Sequence, residues 1–144
     1  MGHDVMLTSS DGFKLGAWRA EPKGPPKGAV VVIQEIFGDN HHIRAVTDRL
    51  AEAGYVAVAP AVFDRMQKDF QTGYTPDEIA KARELVGKTD FAAMLRDTQA
   101  RIDSGEGAGK VGITGFCMGG TITFLAAARL SGLSAAVAYY GGQI

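Results

Sequence analysis

Cysteine is almost absent from this 144-residue chain, which has one, Cys117. A single thiol closes no internal disulfide, so the fold must rest on its core and suits a reducing compartment. Charge of either sign is also not in excess: 15 Lys and Arg stand against 16 Asp and Glu. Without a basic surplus there is no electrostatic reason to bind nucleic acid or an anionic membrane, and neither is expected as a partner. Met1 to Phe13 lacks the basic and apolar regions of a secretory signal, which makes the cytoplasm the expected location. Val111 to Ala128 is uncharged, but Gly112, Gly115, Gly119 and Gly120 interrupt it, so a strand, a turn and a buried helix fit better than a membrane span. The sharpest shortage is at the end. Val111 to Ile144 holds one charged side chain, Arg129, and no Asp, Glu or His. Such a stretch reads as the interior of a domain.

What is present alternates in a regular way. Asp4 to Thr8 and Lys14 to Ala20 flank Ser9 to Gly12, a hairpin signal for two antiparallel strands at a sheet edge. The prolines of Glu21 to Gly28 mark a loop, and Ala29 to Ile33 is a β-branched run of the kind buried on both faces of a parallel sheet. Ile43, Val46, Leu50 and Ala53 recur at helical spacing between an Asn40 cap and a Gly54 stop. Tyr55 to Ala59, ended by Pro60, is the next strand. Thr75-Pro-Asp-Glu78 is a capping box opening a helix to about Val86. A helix over Asp90 to Ser104, a flexible turn over Gly105 to Gly109, a strand over Lys110 to Thr114, a helix over Met118 to Leu130 and a strand over Ala135 to Tyr140 complete the order. Strands alternating with helices after an antiparallel start predict an α/β fold with a mostly parallel central sheet.

Gly115-Phe116-Cys117-Met118-Gly119-Gly120 lies between a predicted strand and a predicted helix. This is a G-x-C-x-G nucleophile elbow in its required context: glycines on either side let strand and helix approach, and the thiol is held at the carboxyl edge of the sheet. The following helix start favours a thiolate and offers the Met118 backbone N–H as half of an oxyanion hole. Elsewhere in a core a lone Cys would be a small buried hydrophobe. Gln34-Glu35-Ile36-Phe37-Gly38 follows the first central strand, where this arrangement supplies the second oxyanion N–H, so Ile36 is the candidate donor. Glu35 lies at the same edge as Cys117, as an acceptor for the thiol proton or as a structural partner for a cation. His41 and His42 have no companion ligands at metal spacing and read as surface or helix-start residues; no metal and no cofactor are expected.

On these motifs the chain resembles the dienelactone hydrolase, or carboxymethylenebutenolidase, family of α/β-hydrolases. The likeness runs through Ser10-Asp11-Gly12, Val31 to Gly38, Arg49 to Tyr55, Lys110 to Gly120 and Tyr139 to Gly142. It implies a three-layer α/β-hydrolase sandwich and hydrolysis of a small-molecule lactone or ester through an acyl-enzyme on Cys117. It further implies that Glu35 pairs with the resting thiol and helps to generate the thiolate, and that Ile36 and Met118 are the oxyanion donors. Phe37 and Lys81 are the substrate-binding candidates. The family places an arginine for substrate carboxylates on the helix that starts at Thr75. Here that position is Lys81, with Arg83 nearby; a lysine cannot form a bidentate fork, and both residues also read as solvated helix-face charges.

The family triad needs an Asp and then a His after the nucleophile, and Met118 to Ile144 contains neither. An α/β-hydrolase domain takes about 200 to 250 residues, so residues 1–144 are expected to form one C-terminally incomplete domain of this fold. Three functions follow: a dienelactone-hydrolase-type enzyme whose triad Asp and His lie outside this chain; a non-catalytic fragment that self-associates, or pairs with the missing part, through its open sheet edge; or another Cys-elbow protein, of the class I glutamine amidotransferase-like or stress-protease-like kind.

Overall fold

The structure is a computed structural model and describes residues 2–104 and 109–142. Among the described residues six strands form one sheet: β1 (His3–Thr8), β2 (Lys14–Ala20), β3 (Ala29–Ile33), β4 (Val56–Pro60), β5 (Val111–Phe116) and β6 (Ala135–Tyr139). Their order across it is β1-β2-β4-β3-β5-β6. The first two pairings are antiparallel and the remaining three parallel. The mostly parallel sheet with an antiparallel hairpin is therefore observed, and the Gly12 N–H donates to the Ser9 carbonyl (2.9 Å) to close that hairpin.

Among the described residues four helices cover the sheet: α1 (His41–Glu52), α2 (Pro76–Val86), α3 (Phe91–Asp103) and α4 (Met118–Arg129). Helix α1 packs on one face, where Ile43 and Val46 meet Val32 and Ala59. On the other face α2, α3 and α4 send Ala82, Leu85, Met94, Leu95, Ile102, Ile122 and Ala126 into the larger cluster with Val31, Ile33, Val58 and Ile113. The three layers follow from the sequence pattern: β3 and β4 are apolar on both sides because helices lie on both sides. The helix starts are fixed locally. Asn40, Thr75 and Asp90 each accept a hydrogen bond from a first-turn N–H, and Pro76 occupies the first turn of α2.

Some boundaries differ from expectation. Pro60 lies within β4 as its last residue, opposite Ala17 of the antiparallel β2, and the strand begins at Val56 rather than Tyr55. Strand β5 runs on to Phe116 because β6 gives Phe116 a partner in Tyr139. The turn expected over Gly105 to Gly109 falls, in residues 105–108, outside the described residues, as do Gln143 and Ile144. The expected burial of Val111 to Ile144 holds for β5 and the inner face of α4. It does not hold for β6, every residue of which is exposed. Among the described residues β6 is bonded along one side only, to β5, and Val137 and Tyr139 stand about half exposed. Among the described residues no helix is long and apolar enough to cross a membrane.

An ion cluster pins the hairpin to the helical layer. Arg65 donates from Nε and Nη2 to the buried Asp97 carboxylate of α3 (2.9 and 2.8 Å) and from Nη1 and Nη2 to Asp11 (2.8 and 2.9 Å). These bonds hold the Asp11 carboxyl well below the usual carboxylate range.

Candidate active site

The carboxyl ends of β3, β5 and β6 bring three segments together. Because the chain moves from β3 to β4 on one side and later to β5 on the other, this edge lies at a topological switch point, where open α/β sheets bind ligands.

Cys117 occupies the turn between β5 and α4 with φ +57° and ψ −118°, a conformation that costs energy in a non-glycine residue and persists only where its surroundings enforce it. They do. A Cβ on Gly115 would meet the Gly119 backbone, one on Gly119 would meet the carbonyls of Ile33 and Gln34, and one on Gly120 would meet the Tyr139 carbonyl and, at 2.9 Å, the Gly141 nitrogen. Each glycine of the motif thus marks a backbone-to-backbone approach, and the one at Gly119 ties the start of α4 to the end of β3. The Cys117 N–H donates to the Tyr139 carbonyl (3.1 Å), and the Cys117 carbonyl accepts from Gly120 and Thr121 (2.9 and 3.1 Å). Cys117 stands as N-cap of α4 with no side-chain capping bond, so its sulfur is not consumed by the helix. The helix dipole favours negative charge at that position. Met118, buried, is the first residue of the helix, whose N–H has no intrahelical acceptor.

On the β3 side Gln34 is buried and Glu35, Ile36 and Phe37 are half-buried. Glu35 Oε2 accepts from the Tyr140 hydroxyl (3.1 Å), while Oε1 is buried with no partner. Gly38, at φ +84°, lets the chain pass the Phe70 carbonyl and form a bridge with Gln71; the Thr72 N–H donates to the Phe37 carbonyl (3.0 Å). The Phe37 and Tyr74 rings meet edge to face at 4.7 Å, and Asn40 Nδ2 reaches both the Thr72 carbonyl (3.1 Å) and the Tyr74 hydroxyl (3.4 Å). The loop carrying Glu35 and Ile36 is therefore held from both sides.

The structure thus gathers Cys117, Met118, Glu35, Ile36 and Phe37 at one edge. Lys81 and Arg83 are exposed on α2, and among the described residues no hydrogen bond or ion pair joins either to that group. His41 and His42 are exposed at the start of α1. Among the described residues no three His, Cys, Asp or Glu groups are placed to hold a metal. Two surface grooves, about 820 and about 750 Å³, lie elsewhere: one between the hairpin, α3 and Leu130, the other on the α1 side beside β5 and β6; Cys117 and Glu35 line neither.

Two residues of this edge were not singled out from sequence. Tyr140 leaves β6 in a left-handed turn, φ +38°, and partial burial, Glu35 and, more weakly, Cys117 and Tyr74 raise its hydroxyl above the ordinary tyrosine value. The Tyr139-Tyr140-Gly141-Gly142 string signals a strand end but not which partner the second ring finds. Asp39, next to Gly38, is 5% exposed with Oδ1 unpartnered, and burial lifts its carboxyl to about 7 against the pull of Arg44. Polar Asp-Asn sequences ordinarily mark an exposed turn, so nothing local announces this burial.

Comparison with known proteins places these features in a family context. Residues 15–144 match the family described as the dienelactone hydrolase family. A Synechocystis sp. protein provisionally named a carboxymethylenebutenolidase is 40% identical over 97% of this chain and 59% of its own length. The carboxymethylenebutenolidase of Pseudomonas putida is 34% identical, over 95% of this chain and 60% of its own. A crystal structure from Klebsiella pneumoniae, provisionally named a dienelactone hydrolase, superposes with a TM-score of 0.80 at 38% identity, covering 98% of this chain and 60% of the other. The chain therefore spans about three fifths of the length of these relatives.

Proposed function

The chain belongs to the dienelactone hydrolase family, and from that premise we propose that the polypeptide carrying it hydrolyses a lactone or carboxylic ester, with Cys117 as nucleophile. The observation that carries this reading is the enforced left-handed turn at Cys117, clamped by three glycines at a helix start and sharing its sheet edge with the Glu35 carboxylate.

The chemistry divides into two halves. In the first, the thiol proton passes to Glu35, leaving a thiolate on Cys117 and a neutral carboxylic acid. The thiolate attacks the acyl carbon, the developing oxyanion takes hydrogen bonds from the Ile36 and Met118 N–H groups, and as the intermediate collapses the acyl C–O bond breaks and the leaving alkoxide takes the proton that Glu35 received. Phe37, with Tyr74 against it, forms an apolar wall for the acyl group, and Lys81 is the cationic candidate for a substrate carboxylate. In the second half water releases the acyl group, a step that needs a general base. Residues 118–144 supply no Asp or His, so the proposal assigns that acid–base pair to polypeptide outside residues 1–144, and residues 1–144 to one α/β-hydrolase domain in the cytoplasm. The exposed β6, with Val137 and Tyr139 on its surface, is the edge against which such polypeptide, or a second copy, would pair. Membership of the hydrolase family leaves the amidotransferase-like reading of the elbow without independent support.

The test is hydrolysis of p-nitrophenyl acetate and of a dienelactone by the complete polypeptide. Cys117→Ala is expected to abolish turnover and Glu35→Gln to lower it by about 10²-fold or more. Turnover that survives Cys117→Ala overturns the reading.

A further inference from the structure

We propose that Tyr140 is a positioning residue for Glu35: its hydroxyl anchors one carboxylate oxygen, Oε2, and so leaves the inward oxygen, Oε1, as the single site at which the carboxylate can take up a proton. The inference rests on the reading of Glu35 as the acceptor of the thiol proton and adds to it the group that holds the acceptor in place.

Three observations meet at this contact. The hydroxyl donates across 3.1 Å to Glu35 Oε2, from a residue 105 positions away in the chain. The other oxygen is buried without a partner, a state that folded proteins ordinarily avoid and that reserves an empty acceptor position. The backbone is bent to make the contact. The Tyr139 carbonyl accepts the Cys117 N–H at 3.1 Å, and the following residue turns to φ +38°, a region bulky side chains rarely adopt. Gly120 leaves room for Tyr139 and Gly141 to lie against the start of α4. One short segment thus fixes the nucleophile's backbone with residue 139 and the carboxylate with residue 140.

The ring itself is 67% exposed, so apolar burial does not explain where its hydroxyl points. Partial burial of the hydroxyl and the neighbouring Glu35 charge keep it protonated, and therefore a donor, throughout the neutral range. A donor to the ionised carboxylate stabilises the charged form. Removing it takes that support away and frees the carboxylate to rotate.

The test uses the 144-residue chain and its one thiol. Alkylation by iodoacetamide is followed from pH 4 to 9 for the native chain, Tyr140→Phe and Glu35→Gln, with near-ultraviolet circular dichroism to confirm that each is folded. The native rate is expected to fall on an acid limb as Glu35 protonates and ceases to accept the thiol proton. Glu35→Gln should lose that limb, and Tyr140→Phe should move it upward. A limb absent from Glu35→Gln but unmoved or lowered in Tyr140→Phe overturns the positioning role and leaves the Glu35 reading standing. A limb retained in Glu35→Gln overturns both. A second measurement needs no Tyr140 substitution. In chain labelled with ¹³Cζ-tyrosine, the Tyr140 titration midpoint should drop toward the ordinary tyrosine value in Glu35→Gln, and an unchanged midpoint contradicts the contact.

Discussion

Replacing Asp39 by asparagine should make the protein more stable at neutral pH and leave its stability below about pH 4 unchanged. The carboxyl lies in the loop from β3 to α1, 5% exposed, with Oδ1 unpartnered. The neighbouring cation, Arg44, stands at 3.9 Å from Oδ2 and is shared with the Asp39 carbonyl (3.1 Å), Asp4 (3.4 Å) and the Trp18 ring (4.6 Å). Burial therefore outweighs Arg44, Asp4 and Asp64 push in the same direction as burial, and the carboxyl is lifted from 3.8 to about 7. Between those values the native state holds a proton that the unfolded chain has released, so stability falls as pH rises. The contribution is complete below the unfolded value and is lost as pH climbs through the folded one. A displacement of about three units corresponds to about 4 kcal/mol as an upper bound. Asparagine keeps the shape and carries no charge at any pH. Urea unfolding of both proteins at pH 5, 6, 7 and 8 should show native stability descending across the series and the Asp39→Asn curve lying flatter, the gap widening to a few kcal/mol at pH 8. Parallel curves, or a native stability that climbs from pH 5 to 8 while Asp39→Asn climbs equally, would refute the reasoning.

Other perturbations follow from the same structure. Arg65→Met strands the buried Asp97 carboxylate and should cost about 3 to 5 kcal/mol in urea unfolding, whereas Arg65→Met with Asp97→Leu should recover most of it. Gly119→Ala drives a Cβ into the Ile33 and Gln34 carbonyls; a loss of 1 to 3 kcal/mol or more, about the range for overpacking, should accompany a changed Cys117 alkylation rate. Thr75→Ala removes the cap that accepts from the Glu78 N–H and should cost about 1 kcal/mol, read as faster amide exchange in the first turn of α2. Glu78 accepts from Thr75, the Gly73 N–H and Thr72, which holds it at about 2. Its contribution is present above the ordinary glutamate value and lost as pH falls through the folded one, so Glu78→Gln should flatten the acid limb of stability.

Much of this architecture is written locally. A five-residue β-branched run flanked by glycine and proline fits a strand covered on both sides, and Asn40, Thr75 and Asp90 each satisfy helix-start N–H groups within their own turn. The elbow is legible for the same reason: its glycines answer clashes within a strand-turn-helix unit. What escaped depends on distant partners. Nothing near Tyr140 in sequence points to Glu35, nor does anything near Arg65 foretell that Asp11 and Asp97 will converge on it. The exposure of β6 is the open sheet edge that the fragment reading expects, although the composition of the segment speaks for burial. Composition reports that a segment is apolar, but which neighbour covers it is decided by the sheet order, in which β6 is an edge.

The claim on which the functional reading turns is that Cys117 is a nucleophile poised by its elbow. It is tested most directly by mass analysis of the 144-residue chain after brief exposure to p-nitrophenyl acetate, with peptide mapping of the product. A single acetyl group on Cys117, absent from Cys117→Ser at matched time and reduced by Glu35→Gln, is the expected result. Acetylation confined to lysines or the amino terminus, with Cys117 unmodified, would contradict it.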